Sequence, residues 1–329
     1  MKKLLDQLFQ QEYLDQNTAK ETLLQITQGV YNPAQITAFL TVFQMRPIAL
    51  QELQGFRAAL LELCVNIDLS DFDSVDLCGT GGDGKDTFNI STLAAVVVAG
   101  AGYTVTKHGN YGVSSVCGSS NVLQQLGYQF TNKEDQLKRQ LDQHNLCFLH
   151  APLFHPAMKA VGSIRRDLGV RTFFNLLGPL VNPVQPKQQL VGVANLEIVR
   201  LYQYILQQSQ KEYAIVHALD GYDEVSLTGA FKVITPKQEH RLEPAQIGQQ
   251  QHQATALQGG RTIEAAAKVF MHVLEGQGSR AQNEVVCTNA GLAIQRFQPE
   301  RPLIDCIQEA KEALVSQKAF QNFKQLIQL

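Results

Sequence analysis

The sequence has no CxxC pair, no surplus of basic residues, and no apolar run approaching the roughly twenty residues of a membrane span. Each absence removes a class of protein. The six cysteines (Cys64, Cys78, Cys117, Cys147, Cys287 and Cys306) are scattered, several of them inside apolar runs. They read as reduced core thiols, not as a disulfide framework or a zinc site. Cys117, in a glycine-rich stretch, is the one placed to be reactive, and the core reading is preferred for it too. A formal charge of −2 and a pI near 6.4 argue against a nucleic-acid or anionic-membrane surface, which asks for a concentrated positive field. Any basic site must therefore be local. The opening Met-Lys-Lys-Leu-Leu run is broken by Asp6 and Gln7, which excludes the continuous apolar region of a signal peptide. The expectation is a soluble cytoplasmic protein. There is no internal repeat, and the glutamines at 249–251 read as surface composition.

What is present is a substantial core and one polar, glycine-rich centre. At 329 residues and 44% hydrophobic, the chain is long enough for about two domains. Residues 76–127 organise it. An apolar strand ending Asp76-Leu77-Cys78 runs into Gly79-Thr80-Gly81-Gly82-Asp83-Gly84, and a helix opens near Asn89-Ile90-Ser91-Thr92. Glycines let a ligand approach the main chain, while free N–H groups and the dipole at a helix start favour an anion such as phosphate or diphosphate. A second strand, Tyr103 to Thr106, ends in Lys107-His108-Gly109-Asn110-Tyr111-Gly112-Val113-Ser114-Ser115. After Gly118, Ser119 and Ser120 stand where an N-cap would for the amphipathic run Val122, Leu123, Leu126. Two strand-loop-helix units thus aim polar loops at one sheet edge, where open α/β folds bind ligands. The glycine pattern fits neither GxGxxG nor GxxxxGK[ST], and two tight βα turns are the alternative reading of it.

Residues 1–67 show helical periodicity. Leu4, Leu5, Leu8 and Phe9 form one stripe and Leu23, Leu24, Ile26 and Val30 another, with further helices over Pro33 to Phe43 and Leu50 to Val65. After the central units, the patterns predict a helix from Glu134 to His144, a buried strand at Leu146 to Leu149, and a helix opening at His155-Pro156 that carries Lys159, Arg165 and Arg166. Strands at Gln189 to Ala194 and Glu212 to Ala218 flank a helix from Leu196 to Gln207. Strands alternating with helices imply a mainly parallel sheet. A hairpin is predicted over Val225 to Ile234 around Thr228-Gly229-Ala230, an irregular glutamine-rich segment over 237–261, and final helices over Ile263 to Leu274, Ala281 to Phe297 and Leu303 to Leu329. The turn Asp220-Gly221-Tyr222-Asp223-Glu224 carries three carboxylates; Asp223 and Glu224 repel unless solvated or bridged by a hard cation such as Mg²⁺. From the residues alone it is an ordinary acidic turn, and Arg165-Arg166 an ordinary solvated pair.

Five ordered blocks alter those readings. Gly79-Thr80-Gly81-Gly82-Asp83 with Asn89-Ile90-Ser91-Thr92, Lys107-His108-Gly109-Asn110 with Val113-Ser114-Ser115, His155-Pro156-Ala157-Met158-Lys159, the run from Gly169 to Pro183, and Asp223-Glu224-Val225-Ser226 together resemble the anthranilate phosphoribosyltransferase family. The resemblance spans most of the chain. It implies an α/β fold with a mainly parallel sheet flanked by helices and a small all-helical N-terminal domain, of the nucleoside phosphorylase/phosphoribosyltransferase type. The expected division is a helical domain over 1–67, joined by a later helical segment near 155–185, and an α/β catalytic domain over 68–329. It also implies homodimerisation through the helical domain. The implied activity joins anthranilate to 5-phosphoribosyl 1-diphosphate, releasing pyrophosphate, with Mg²⁺, in tryptophan biosynthesis. Carried over by position, Gly79, Gly82, Asp83, Thr87, Asn89, Ile90, Ser91, Thr92, Lys107, Ser115 and Ser119 would hold phosphoribosyl diphosphate. Gly79, Asn110 and Arg165 would contact anthranilate, with Arg165 pairing with its carboxylate in a fork that Lys could not copy. Ser91, Asp223 and Glu224 would bind metal. No covalent nucleophile is required, and His108 is open between base and shape element.

The family pattern has arginine where Tyr111 stands here. A lost charged hydrogen bond there is worth about 1.5–3 kcal/mol, and compensation is expected from the phenol or from Lys85. Two rivals are a pyrimidine nucleoside phosphorylase-like enzyme, which would not need Asp223-Glu224, and a non-catalytic phosphoribosyltransferase-like binding protein, which would want the basic surface that this composition lacks.

Overall fold

A computed structural model describes residues 1–112 and 117–329, and the chain divides into two compact units. One combines Met1–Asn66 with Ala151–Pro183, the other Ile67–His150 with Val184–Leu329. In chain order, the first unit contributes α1 (Lys2–Phe9), α2 (Gln16–Thr27), α3 (Pro33–Met45) and α4 (Leu50–Glu62). The second follows with β1 (Ser74–Gly79), α5 (Ile90–Gly100), β2 (Thr104–Gly109), α6 (Ser119–Gln125), α7 (Glu134–His144) and β3 (Leu146–His150). Then come α8 (Ala151–Phe154) and α9 (Lys159–Leu168) of the first unit. The second resumes with β4 (Gln188–Gly192), α10 (Leu196–Gln208), β5 (Glu212–Ala218), β6 (Phe231–Ile234), β7 (Glu239–Leu242), α11 (Ile263–Leu274), α12 (Arg280–Gln295), α13 (Leu303–Val315) and α14 (Lys318–Leu326).

The helical unit is set by its caps and by one aromatic cluster. Asp15 accepts the Thr18 N–H at 2.9 Å to start α2, and Asn32 with Gln35 forms a capping box before α3, whose first residue is Pro33. Phe39, Phe43 and Phe56 pack around Phe173, which stacks on Phe56 at 4.2 Å between centroids. Buried in the same unit, Arg46 forms two hydrogen bonds to Glu52, whose carboxylate also accepts the main-chain N–H groups of Leu14 and Ala49. Of the predicted stripes, Leu8, Leu23, Leu24 and Ile26 are buried. Phe9 and Val30 are each 60% exposed. Val30 falls beyond the end of α2, where helical spacing no longer decides which way a side chain points.

The α/β unit is a seven-stranded sheet in the order β3-β2-β1-β4-β5-β6-β7. The first five strands are parallel, and β6 and β7 are antiparallel additions. Helix α5 is apolar on every side, with Leu93 to Val98 fully buried, which is the pattern of a helix covered all round. It packs against the sheet on one side and α12, α13 and α14 on the other.

Three local expectations are corrected. Residues 225–230 form no strand: β6 pairs with β5 and with β7, so the antiparallel turn is at 235–238 and the glutamine-rich segment begins with a strand. Leu227 has a positive φ of 57°, which interrupts extended pairing. The last helix is two, because Gln317 takes φ 60° between α13 and α14. The N-cap of α6 is Gly118, and Ser119 and Ser120 are its first helical residues.

Candidate active site

Strand order reverses at β1: β2 and β3 extend the sheet to one side and β4 and β5 to the other. Open parallel sheets bind ligands at the carboxyl ends of the strands at such a point. Gly79 and Gly192, the last residues of β1 and β4, are register partners there. Both lie against Asp223: a Cβ on Gly79 would collide with its carboxylate, and one on Gly192 with its carbonyl. The glycines thus make the hollow in which a buried carboxylate sits between two strand ends.

Around that hollow the loops close by hydrogen bonds to the acidic turn. Gly81, Gly82 and Gly84 take φ of 67°, 79° and 71°, so only glycine turns the loop without strain. Asp223 Oδ2 accepts the Gly81 N–H at 2.6 Å. Glu224 Oε1 accepts the Ser91 N–H at 2.9 Å, placing a carboxylate on the positive end of α5. The Lys107 ammonium is 2% exposed and donates to the Leu77 carbonyl and, at 3.4 Å, to the Ser91 hydroxyl. His108 is 1% exposed, and its main-chain N–H donates to the buried Asp76 at 3.1 Å. Asn89 caps α5 without a side-chain bond to the helix, its amide donating instead to the Cys117 carbonyl at 3.1 Å. Thr87 bridges to Gln258, and Asp83 accepts the Lys85 N–H at 3.0 Å. Ile90 and Thr92 are buried in the first turn of α5. Ser119 donates to the Asn110 carbonyl at 3.3 Å, and Asn110 Oδ1 accepts the Tyr111 N–H at 2.8 Å. Ser115 lies outside the described residues.

The electrostatics follow from the burial of like charges. Burial pushes the Asp223 carboxyl up to about 7, with Asp83 adding to the rise against the opposing Gly81 hydrogen bond. Burial and the Asp223 charge likewise hold Glu224 well above its ordinary value. Such a pair is relieved by a cation. Asp223, Glu224 and the Ser91 hydroxyl are hard oxygen donors, a set that suits Mg²⁺, which usually takes one or two carboxylates and completes its shell with water and substrate phosphate. Among the described residues no group of three or more His, Cys, Asp or Glu side chains is placed to enclose an ion unaided. The donor set fits a hard divalent cation such as Mg²⁺.

One residue at this edge was not anticipated. Asn289 of α12 donates to the Val225 carbonyl at 2.9 Å and accepts the Val225 N–H at 3.1 Å, which fixes the chain immediately after Glu224. An amide within the apolar run Val285 to Ala293 is the signal that could have found it. Lys85, from which compensation for the missing arginine was expected, reaches from the glycine loop to the Tyr222 ring at 4.8 Å. Tyr111 turns its phenol elsewhere. Its hydroxyl donates to Gln124 at 3.2 Å and its ring meets His150 edge-on at 4.7 Å.

Arg165 belongs to the helical unit. Its guanidinium donates to Asn175 at 3.4 Å and lies 5.1 Å from the centre of the Phe174 ring, and burial lowers its pKa. Arg166 beside it is exposed, so the two arginines separate as neighbours on a helix must.

Comparison with known proteins adds sequence-wide likeness. Residues 71–320 match the model of the glycosyl transferase family a/b domain, and residues 2–64 that of its helical bundle domain. The chain is 54% identical over 327 residues to an anthranilate phosphoribosyltransferase of Cytophaga hutchinsonii, covering 99% of this chain and 100% of that protein. Among solved structures it is similar to anthranilate phosphoribosyltransferase from Thermus thermophilus, with a TM-score of 0.90, 30% identity and 98% of each chain covered. It is also similar to the Saccharomyces cerevisiae anthranilate phosphoribosyltransferase in complex with PRPP and Mg, with a TM-score of 0.89, 26% identity, and 98% of this chain and 96% of that one covered.

Proposed function

The chain belongs to the anthranilate phosphoribosyltransferase family, and from that premise we propose how its own residues transfer the 5-phosphoribosyl group of phosphoribosyl diphosphate to the amine of anthranilate, releasing pyrophosphate, in tryptophan biosynthesis. The anomeric carbon gains positive character as the diphosphate leaves. The protein's task is therefore to hold the two reactants in line and to stabilise the charge of the leaving group. The glycine loop lets the diphosphate approach the main chain, and the start of α5 offers it the positive end of the helix dipole. Lys107, with its ammonium beside the Ser91 hydroxyl, supplies a fixed positive charge at the same edge.

Ser91, Asp223 and Glu224 would hold Mg²⁺, and the relative solved with PRPP and Mg supports its use here. When bound, the ion neutralises diphosphate charge as a Lewis acid. Asn110 would orient anthranilate at the end of β2. Arg165 keeps the carboxylate-pairing role that its place in the motif implies, with a guanidinium already oriented by Asn175 and Phe174. The arylamine carries a neutral lone pair at pH 7, so displacement asks for no covalent enzyme intermediate.

The observation that carries this reading is the convergence of the glycine loop, the α5 N-terminus and the Asp223-Glu224 turn on one strand-order reversal. The test follows the loss of anthranilate fluorescence with phosphoribosyl diphosphate and Mg²⁺. Consumption that needs the metal and collapses in Asp223→Asn, Glu224→Gln is expected. A folded wild-type protein that consumes no anthranilate overturns the reading and directs assays to nucleosides with phosphate.

The same proposal includes a cytoplasmic homodimer. Among the described residues no helix is long and apolar enough to cross a membrane. In the helical unit Phe9, Tyr13 and Met45 are 60%, 54% and 78% exposed, apolar surface that a second copy would cover. Light scattering after gel filtration that returns a monomer mass of 36.5 kDa would refute the dimer.

A further inference from the structure

At the carboxyl end of β2 two chain segments cross at close quarters. One is Asn110 to Gly112, leaving the strand; the other is Cys117 to Ser120, entering α6. The Asn121 side-chain oxygen accepts the Gly112 N–H at 2.9 Å and the Gly118 N–H at 3.0 Å. One amide oxygen thus joins both segments. The Ser120 N–H donates to the Asn110 carbonyl at 3.1 Å, and the Ser119 hydroxyl reaches the same carbonyl at 3.3 Å. A Cβ on Gly118 would collide with the main chain of Gly112 and Tyr111, so the crossing is as tight as backbone allows. Tyr111 anchors the outgoing segment through Gln124 of the same helix and through His150, which stacks on Phe130 and shares a hydrogen bond with Ser120 at 2.9 Å.

We propose that Asn121 is a positioning residue: by stapling these two segments it holds Ser119 in place against Asn110, and so shapes the seat of phosphoribosyl diphosphate. This rests on the roles given above to Asn110 and Ser119. Asn121 touches neither substrate. It acts through Gly112 and Gly118, whose N–H groups an apolar side chain would leave without that acceptor. In the same geometry the Tyr111 ring and hydroxyl brace the segment against α6 and β3.

The experiment compares wild type, Asn121→Ala and Asn121→Asp. Two neutral hydrogen bonds together correspond to about a tenfold change in affinity. Asn121→Ala is expected to raise KM for phosphoribosyl diphosphate about tenfold, with kcat changed far less and the melting temperature nearly retained. Asn121→Asp, which keeps an oxygen in place and suits the first turn of a helix, is expected to restore KM. Hydrogen exchange at the Gly112 and Gly118 amides supplies a readout independent of turnover: slow in wild type and in Asn121→Asp, fast in Asn121→Ala. Unchanged KM in Asn121→Ala, failure of Asn121→Asp to rescue, or fast exchange in wild type each overturns the inference. A wild type that exchanges slowly but consumes no anthranilate refutes the assigned reaction instead, and supports the staple as a feature of the fold.

Discussion

At the scale of single residues, charges held out of water dominate. The Asp223 carboxyl, raised to about 7, binds its proton more tightly in the folded than in the unfolded chain. Its contribution to stability is therefore present below the ordinary carboxylate value of 3.8 and lost as pH rises through about 7. Metal binding needs the carboxylate form. Calorimetric titration of Mg²⁺ with phosphoribosyl diphosphate is expected to show affinity falling and proton release increasing as pH drops from 8 towards 6. In Asp223→Asn the proton release should fall to what Glu224 alone supplies; an unchanged release would place the titrating group elsewhere. Glu52 poses the opposite case, a buried charge fully paired by Arg46 and by two main-chain N–H groups. Glu52→Ala leaves a buried guanidinium unpaired and is expected to cost about 3–5 kcal/mol in denaturant unfolding. A loss under about 1 kcal/mol, typical of an exposed pair, would show that water reaches the site.

At the scale of elements, turns at the sheet edge are held by helices distant in sequence. Asn289 clamps both polar groups of the Val225 main chain from α12, 64 residues away. Asn289→Leu keeps the bulk and removes the clamp, so Glu224 loses its fixed position. The expected result is metal-dependent affinity weakened about 10–100-fold, the usual effect of losing support behind a metal ligand, with far-UV circular dichroism unchanged. An unaltered affinity would mean that the turn holds its own shape. Tyr111→Phe removes only the bond to Gln124, which is exposed, and is expected to cost less than about 1 kcal/mol in any measured affinity. A larger loss in KM for phosphoribosyl diphosphate would show that the phenol contacts the substrate after all.

At the level of the whole molecule, the residues proposed to hold phosphoribosyl diphosphate and metal all belong to the α/β unit, and Arg165 belongs to the helical one. Saturation at a hundred times Kd adds about 2.7 kcal/mol to the folded state. With roughly 2–4 °C per kcal/mol for a domain of this order of size, Mg²⁺ and phosphoribosyl diphosphate together are expected to raise the melting temperature by several degrees. Differential scanning calorimetry checks this, and the shift should disappear in Asp223→Asn, Glu224→Gln. A shift of equal size in that variant would detach the acidic turn from ligand binding.

Elements whose pattern is local are legible without coordinates. Most of each helical stripe, the strands expected at 146–149 and 212–218, and the glycines that must turn after β1 follow from periodicity and backbone sterics between near neighbours, and they survive in the fold. The sequence also supplied the motif residues in order, because their resemblance to a family needs no coordinates. It misjudged 225–230 and the final helix, where single residues at positive φ, Leu227 and Gln317, break patterns that hydrophobicity alone would continue. Which groups meet is set by the packing of distant segments. Nothing local reveals that Asp223 lies on Gly79 and Gly192, that Lys107 turns inward to Leu77 and Ser91, or that Asn121 joins Gly112 to Gly118. Those contacts depend on the order of strands in the sheet, and the raised carboxyl of Asp223 depends on how much water the same packing excludes.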